Sequence, residues 1–282
     1  MDTLKAYNGI SIPAFMYGTA WKKETTGDLV QLAVNSGFRA IDTANQLIHY
    51  NEALVGQALH KLAQQGFTRK SLFLQTKFTP VSGQDHRTPY DPIAPITQQV
   101  EQSFQSSLEH LQTDYLDSYV LHGPYMRHGL GKEDWEVWTA LETLYQSGRT
   151  KMIGISNVTA EQLRALCEKA KVRPMVVQNR CYAMLKWDQE VREICEAQGI
   201  IYQGFSLLTA NPEVIRDQGV TKIADRVGSS PLQVIFRFAQ QVGMLPLTGT
   251  TNPQHMKEDL TIEGFNLTPE EINYLEKIGS NL

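Results

Sequence analysis

Cysteine is scarce in this chain. Cys167, Cys181 and Cys195 are its only three, with no Cys-x-x-Cys pair and no Cys/His spacing suited to a metal. An odd, scattered set argues against a disulfide framework and fits idle thiols in a reducing compartment. No metal site is expected. No apolar run reaches the ~18 residues of a spanning helix. The opening MDTLKAYNGISIP has no basic segment followed by an apolar one, so no signal peptide is expected. An excess of basic charge is missing too: 26 Lys and Arg face 30 Asp and Glu, for a net charge of -4. That leaves no electrostatic footprint for nucleic acid. Internal repeats and low-complexity stretches are absent. What remains is ordinary globular composition, 41% hydrophobic and 20% charged over 282 residues. The expectation is a cytoplasmic protein with small-molecule partners, monomeric or weakly oligomeric, without nucleic acid or membrane.

Short apolar runs alternate with longer amphipathic ones. Candidate strands are FMYG (15–18), RAID (39–42), SLFLQT (71–76), YLDSYVL (115–121), KMIGIS (151–156), PMVVQN (174–179), IIYQGFS (200–206) and MLPLTG (244–249). Most are continuously apolar, as strands buried on both faces of a parallel sheet are. Between them, Leu29, Leu32 and Ala33 share a helical face, as do Leu54, Val55, Ala58, Leu59 and Leu62, and Leu163, Leu166 and Cys167. Thr159 with Gln162 predicts a capping box. Ser230-Pro231 and Thr268-Pro269 predict N-caps followed by proline in the first helical turn. Eight strand–helix alternations without a linker predict one α/β domain over 1–282, a closed (β/α)8 TIM barrel. An open doubly wound sheet lacks support, because no GxGxxG follows the first strand. Asn8-Gly9 between Leu4–Ala6 and Ile10–Ile12 predicts an N-terminal β-hairpin with a type I′ turn, placed at the bottom of the barrel. A final helix after Thr268 closes the chain. The Pro-rich segment 79–95 reads as a long functional loop.

Functional groups in such a barrel gather at the C-terminal ends of the strands. Asp42, Lys77 and His122 each close a candidate strand, and Tyr50 follows the second. Singly, each has an ordinary reading: a turn-forming Asp, a solvated Lys, a structural His. Together they make an acid. A Tyr hydroxyl has a pKa near ~10 and donates poorly at neutral pH. A lysine ammonium beside it would lower that pKa. Asp42 would hold the ammonium, and His122 would orient a carbonyl oxygen. Such a set suits carbonyl reduction against a nicotinamide.

GFRAIDTANQLIHYNEALVG (37–56) resembles the first signature of the aldo-keto reductase family. LQTK (74–77), YLDSYVLHGP (115–124), KMIGISN (151–157) and GTAW (18–21) resemble further family motifs in order and spacing. The resemblance spans about the whole chain. It implies catalytic roles for Asp42, Tyr50, Lys77 and His122. It implies nicotinamide contacts at Ser156, Asn157 and Asn179, ring stacking on Phe205, and a pyrophosphate path past Ser206 and Leu208. Gly18, Thr19 and Ala20 would approach the cofactor. Gly249, Thr250, Thr251 and His255 would take its adenosine phosphate, and Glu258 the adenine amine. Trp21, Phe78, Tyr125 and Met126 would line the substrate pocket, with plain core packing the alternative for Phe78. The pocket would be walled by the 79–95 and 123–132 loops, where Arg127 or His128 would attract an anionic substrate or stay solvated.

Three departures mark the match. The loop after Asp42 is longer by about two residues, so Tyr50 stands beside, not at, the family's tyrosine position, and His49 competes as the acid. VVQNRCY inverts the usual Asn-Gln order, putting Asn179 where a Gln is usual. The adenosine end has His255 and Lys257 in place of stronger cations; NADP(H) is the expected cofactor, with NAD(H) possible. Two other functions stand beside a reductase: a Schiff-base lyase or aldolase using Lys77, and a non-catalytic, cofactor-binding redox sensor.

Overall fold

The computed structural model describes residues 2–281. Strands β1 (Thr3–Lys5) and β2 (Ser11–Pro13) form an antiparallel hairpin. Eight parallel strands follow: β3 (Met16–Gly18), β4 (Ala40–Asp42), β5 (Phe73–Phe78), β6 (Ser118–Leu121), β7 (Ile153–Ser156), β8 (Val176–Arg180), β9 (Ile201–Phe205) and β10 (Met244–Thr248). They pair in sequence order, and β10 returns to β3 to close the barrel. Around it lie α1 (Thr26–Ser36), α2 (Glu52–Gln64), α3 (Ile96–Leu111), α4 (Lys132–Gln146), α5 (Ala160–Lys169), α6 (Gln189–Gln198), α7 (Pro212–Ile215), α8 (Gln218–Val227), α9 (Pro231–Gln241), α10 (Pro253–Asp259) and α11 (Pro269–Lys277). None of the described helices is long and apolar enough to cross a membrane.

The strands are apolar because both of their faces are covered. All six residues of β5 are buried. Alternate residues point inward and outward: Gln75 and Lys77 turn into the barrel, while Phe78 packs outward on Tyr90, ring centroids 5.5 Å apart. The expected capping boxes are present at Thr159/Gln162, Ser230/Gln233 and Thr268/Glu271. Each cap contributes about 1 kcal/mol.

The hairpin sits at the N-terminal end of the barrel, as the sequence suggests. Tyr7 donates through its backbone to the Gly199 carbonyl at 2.9 Å and through its hydroxyl to that of Arg173 at 2.6 Å. The Asn8 side chain donates to the Lys151 carbonyl at 3.1 Å. Those carbonyls lie just ahead of β9, β8 and β7. The turn itself differs from expectation. Gly9 alone among its residues has positive φ, +86°, and its N–H returns to the Ala6 carbonyl at 2.9 Å. This is a type I turn with a glycine bulge, because a type I′ turn needs positive φ at both central residues.

Candidate active site

The C-terminal ends of the barrel strands open into one cleft of about 590 Å³. Its chemistry starts at Lys77, whose amine is fully buried. Lys77 Nζ donates to both oxygens of Asp42 at 2.7 Å and to the Thr43 carbonyl at 2.8 Å. An ammonium has three protons, so these contacts use them all. Asp42 Oδ1 also accepts from Gln75 at 2.8 Å and from Gln178 at 3.1 Å. The same two amides donate to Gln203 Oε1 at 2.7 and 2.9 Å, and Gln203 returns a hydrogen bond to Gln75 at 3.0 Å. Three glutamines and one carboxylate thus form a connected polar floor across the barrel, and their mutual hydrogen bonds hold one geometry.

Above this floor stand two rings. The Tyr50 ring centroid lies 5.3 Å from Lys77 Nζ and 5.9 Å from the His122 ring centroid. The four residues singled out from the sequence therefore converge. One expectation fails. Burial first, and the Asp42 charge second, push the Tyr50 hydroxyl well above its ordinary pKa. The ammonium does not reverse this, because the Asp42 carboxylate lies against it and offsets its charge. Burial likewise pulls Lys77 below the ordinary lysine range, and the Asp42 pair works against that pull. His122 is pushed down to about 3 by burial, with Lys77 and then His49 adding to the effect. It is therefore a neutral imidazole at physiological pH. His122 Nδ1 is 2.7 Å from the Thr79 hydroxyl. If that hydroxyl donates, Nε2 carries the proton and faces the cleft.

The lengthened loop after β4 is braced from outside. Gln84 donates to the Asn45 carbonyl at 2.8 Å, Gln46 donates to the Gly83 carbonyl at 2.7 Å, and Arg87 donates to the Leu47 carbonyl at 3.3 Å. The Trp21 N–H reaches the His49 carbonyl at 2.7 Å. Tyr50 then hands over to Asn51, which caps α2 by accepting from Leu54 N at 3.1 Å. The 79–95 segment is thus a brace for the Tyr50 loop and not the expected wall. Gln46, His49 and Tyr50 line the cleft instead, as do Ser206 to Thr209. His49 lines the cleft as well. Its ring centroid lies 3.8 Å from that of Trp21, and its Nδ1 lies 2.7 Å from Gln46 Oε1.

Of the expected cofactor contacts, Gly18, Ala20, Ser156, Asn157, Phe205, Ser206, Leu208, Gly249, Thr250, His255 and Glu258 line the cleft, as does Trp21. Trp21, Asn157 and Ser206 hold left-handed φ of 64°, 53° and 57°. Asn179 does not line it. Its amide accepts from Val158 N at 3.0 Å and donates to Asp188 at 2.8 Å, on the outside of β8. Gln178 takes the inward place, because neighbouring strand residues face opposite ways. Thr19 is fully buried with its hydroxyl on the Asp42 carbonyl at 3.0 Å, and Thr251 is exposed off the cleft.

Three expected substrate contacts also lie elsewhere. Phe78 is in the core against Tyr90. The Tyr125 N–H is held by Asp134 at 2.8 Å, and the exposed Met126 lies over Gly131. Arg127 and His128 are exposed on that same loop, away from the cleft. Sequence reasoning passed over Gln75, Gln178 and Gln203, and also Lys22 and Arg180, which line the cleft. Counting by twos from Lys77 would have found Gln75.

Comparison with known proteins gives a concordant picture. The profile of the Aldo/keto reductase family matches residues 14–211. The chain is 31% identical to the glyoxal reductase of Bacillus subtilis, covering 99% of this chain and 94% of that protein. It is 28% identical to the 9,11-endoperoxide prostaglandin H2 reductase of Trypanosoma cruzi, covering 98% and 90% respectively. The crystal structure of an aldo/keto reductase from Brucella melitensis superposes with a TM-score of 0.83 at 27% identity, covering 98% of this chain and 99% of that one.

Proposed function

Because the chain belongs to the aldo/keto reductase family, we propose that this cleft reduces an aldehyde or ketone to an alcohol, with Tyr50 delivering the proton. The single observation that carries the assignment is the convergence of Tyr50 and His122 over the Lys77–Asp42 pair at one end of the cleft. A bound nicotinamide dinucleotide, NADH or NADPH, supplies the hydride to the carbonyl carbon. The residues present fit such a group. Gln178 Oε1 accepts no hydrogen bond from the described residues and lies beside Ser156 and Asn157, a set able to pair with a carboxamide. Phe205 offers a flat ring at the same end.

Tyr50 stays protonated at neutral pH, which a proton donor requires. As negative charge develops on the carbonyl oxygen, the phenol proton moves to it. The buried Lys77 charge stabilises the phenolate left behind, most strongly at this moment of charge separation. His122, neutral, holds the carbonyl oxygen through Nε2–H and cannot itself be the acid. Asp42 fixes Lys77, and the glutamine floor fixes Asp42. The same pairing counts against imine chemistry, since a nucleophilic lysine needs a free lone pair.

Replacing Tyr50 by Phe tests the reading. Turnover of a broad aldehyde substrate should fall by about 10²–10⁴, while the dinucleotide dissociation constant stays within about twofold. Near-normal turnover would transfer the proton to His49. Dinucleotide binding by the wild type without turnover across an aldehyde panel would point to a redox sensor instead.

A further inference from the structure

We infer that the far end of the cleft is built for an unphosphorylated ribose, so that this chain takes NADH in preference to NADPH. The inference rests on the reductase reading and reverses the cofactor expected from sequence. The reacting groups occupy one end of the cleft, so the nicotinamide belongs there. The adenosine must then lie toward Thr248, Ser230, Gln233 and α10.

That end is acidic. Helix α10 turns His255, Glu258 and Asp259 toward the cleft, spaced three and four residues apart on one face. Lys257, the nearest cation in sequence, falls on another face, exposed and outside the lining. Of the two other cations lining the cleft, Lys22 is drawn onto the Gly249 carbonyl. Arg180 lies at the opposite end, 5.5 Å over the Phe205 ring. Glu258 is held in place, accepting from Gln254 Nε2 at 2.8 Å. A carboxylate so placed accepts a hydrogen bond from a ribose 2′-hydroxyl, in place of the adenine amine expected from the sequence. It has nothing to offer a 2′-phosphate monoester, which accepts only and carries close to two negative charges at neutral pH.

The backbone tells the same story. A phosphate in a loop needs free N–H groups. Here the Thr250 N–H goes to the Thr248 hydroxyl at 3.4 Å, the Asn252 N–H to the Thr250 hydroxyl at 3.2 Å, and the Gln254 N–H to Asn252 Oδ1 at 2.8 Å. Pro253 has none. Three of the loop's donors are thus spent within it, and α10 faces the cleft with Glu258 and Asp259 in place of an ammonium or guanidinium.

Isothermal titration calorimetry reads the preference without turnover. NADH should bind roughly tenfold or more tightly than NADPH, from repulsion by one or two nearby charges in a partly shielded site. The half-molecule 5′-AMP should likewise outbind 2′,5′-ADP. Glu258→Arg should tighten NADPH and 2′,5′-ADP by roughly tenfold and weaken NADH, inverting the order. Glu258→Gln, a milder change, should narrow the gap. NADPH binding as tightly as NADH, or more tightly, overturns the inference. An unmoved NADPH affinity in both variants overturns the role of Glu258. If neither dinucleotide binds the wild type, the reductase reading itself falls.

Discussion

Replacing Asp42 by Asn is the most informative single perturbation, because it leaves a fully buried lysine without its counter-charge. An unpaired ammonium would be very costly there, so the amine would shed its proton instead. The unfolded chain keeps an ordinary lysine, with a pKa of about 10.4. Folding at pH 7 must then remove a proton across roughly three and a half pH units. At about 1.4 kcal/mol per unit, the ceiling on destabilisation is about 5 kcal/mol. The true loss is smaller to the extent that burial already pulls Lys77 down in the wild type; we expect about 2–4 kcal/mol. The sign of its pH dependence is fixed. The unfolded state of the variant binds one more proton than the native state, so its stability rises with pH. By pH 9 the ceiling is about 2 kcal/mol. Urea denaturation of both proteins at pH 7 and pH 9, followed by circular dichroism, measures the gap. A gap that is the same at both pH values would refute the reasoning, because it would show that no proton is lost from Lys77. Turnover should fall by at least about 100-fold in the same variant.

Acid sensitivity is set in part by His122. Its native pKa of about 3 lies below the ordinary value of about 6.5, so stability falls as pH drops below that value. Between pH 7 and pH 5 this one residue should cost about 2 kcal/mol, and a His122→Gln variant should lose that component of the slope in denaturation curves. Gly56→Ala should destabilise by about 3 kcal/mol or more, through overpacking that cannot relax. Its Cβ would stand 2.0 Å from the His110 carbonyl oxygen, where α2 crosses α3; a normal melting temperature would contradict that packing.

The barrel was legible because its signals are local and periodic. Continuous apolar runs mark two-sided strands, and Thr159/Gln162 and Ser230/Gln233 mark helix starts with a hydrogen bond that four residues define by themselves. The convergence of Asp42, Lys77, His122 and Tyr50 was legible for the same reason, since strand ends are where a barrel collects its polar groups. What escaped depends on parity and on contacts between distant segments. Phe78 and Asn179 were each placed one residue off, on the outer face of the strand whose inner face carries Lys77 or Gln178. The pairing of Gln75 with Gln203 spans 128 residues and leaves no trace in local pattern. Nor does the bracing of the Tyr50 loop by the 79–95 segment, whose polar, Pro-rich composition reads as a long loop walling the pocket until Gln84 and Arg87 are seen holding backbone carbonyls.

That bracing explains how a displaced tyrosine can still reach the site. Lengthening a loop by two residues would ordinarily cost little in stability and much in precision, since closure entropy grows slowly with length while a reacting hydroxyl must be held within a fraction of an ångström. Here the added freedom is removed from both sides. Backbone carbonyls at Asn45 and Leu47 are taken by the outer segment, the His49 carbonyl by Trp21, and Asn51 is locked as the cap of α2. Tyr50 is left with one short link on each side to fixed points. Its position is therefore a property of the 79–95 segment as much as of its own loop. Weakening that brace should loosen the phenol before it loosens the barrel. In Gln84→Ala, kcat should fall by about three- to tenfold, since a misplacement near 1 Å can cost as much as 10²-fold, while the dinucleotide dissociation constant and the urea midpoint stay near wild type. An unchanged kcat would mean that Tyr50 is held by its own loop alone.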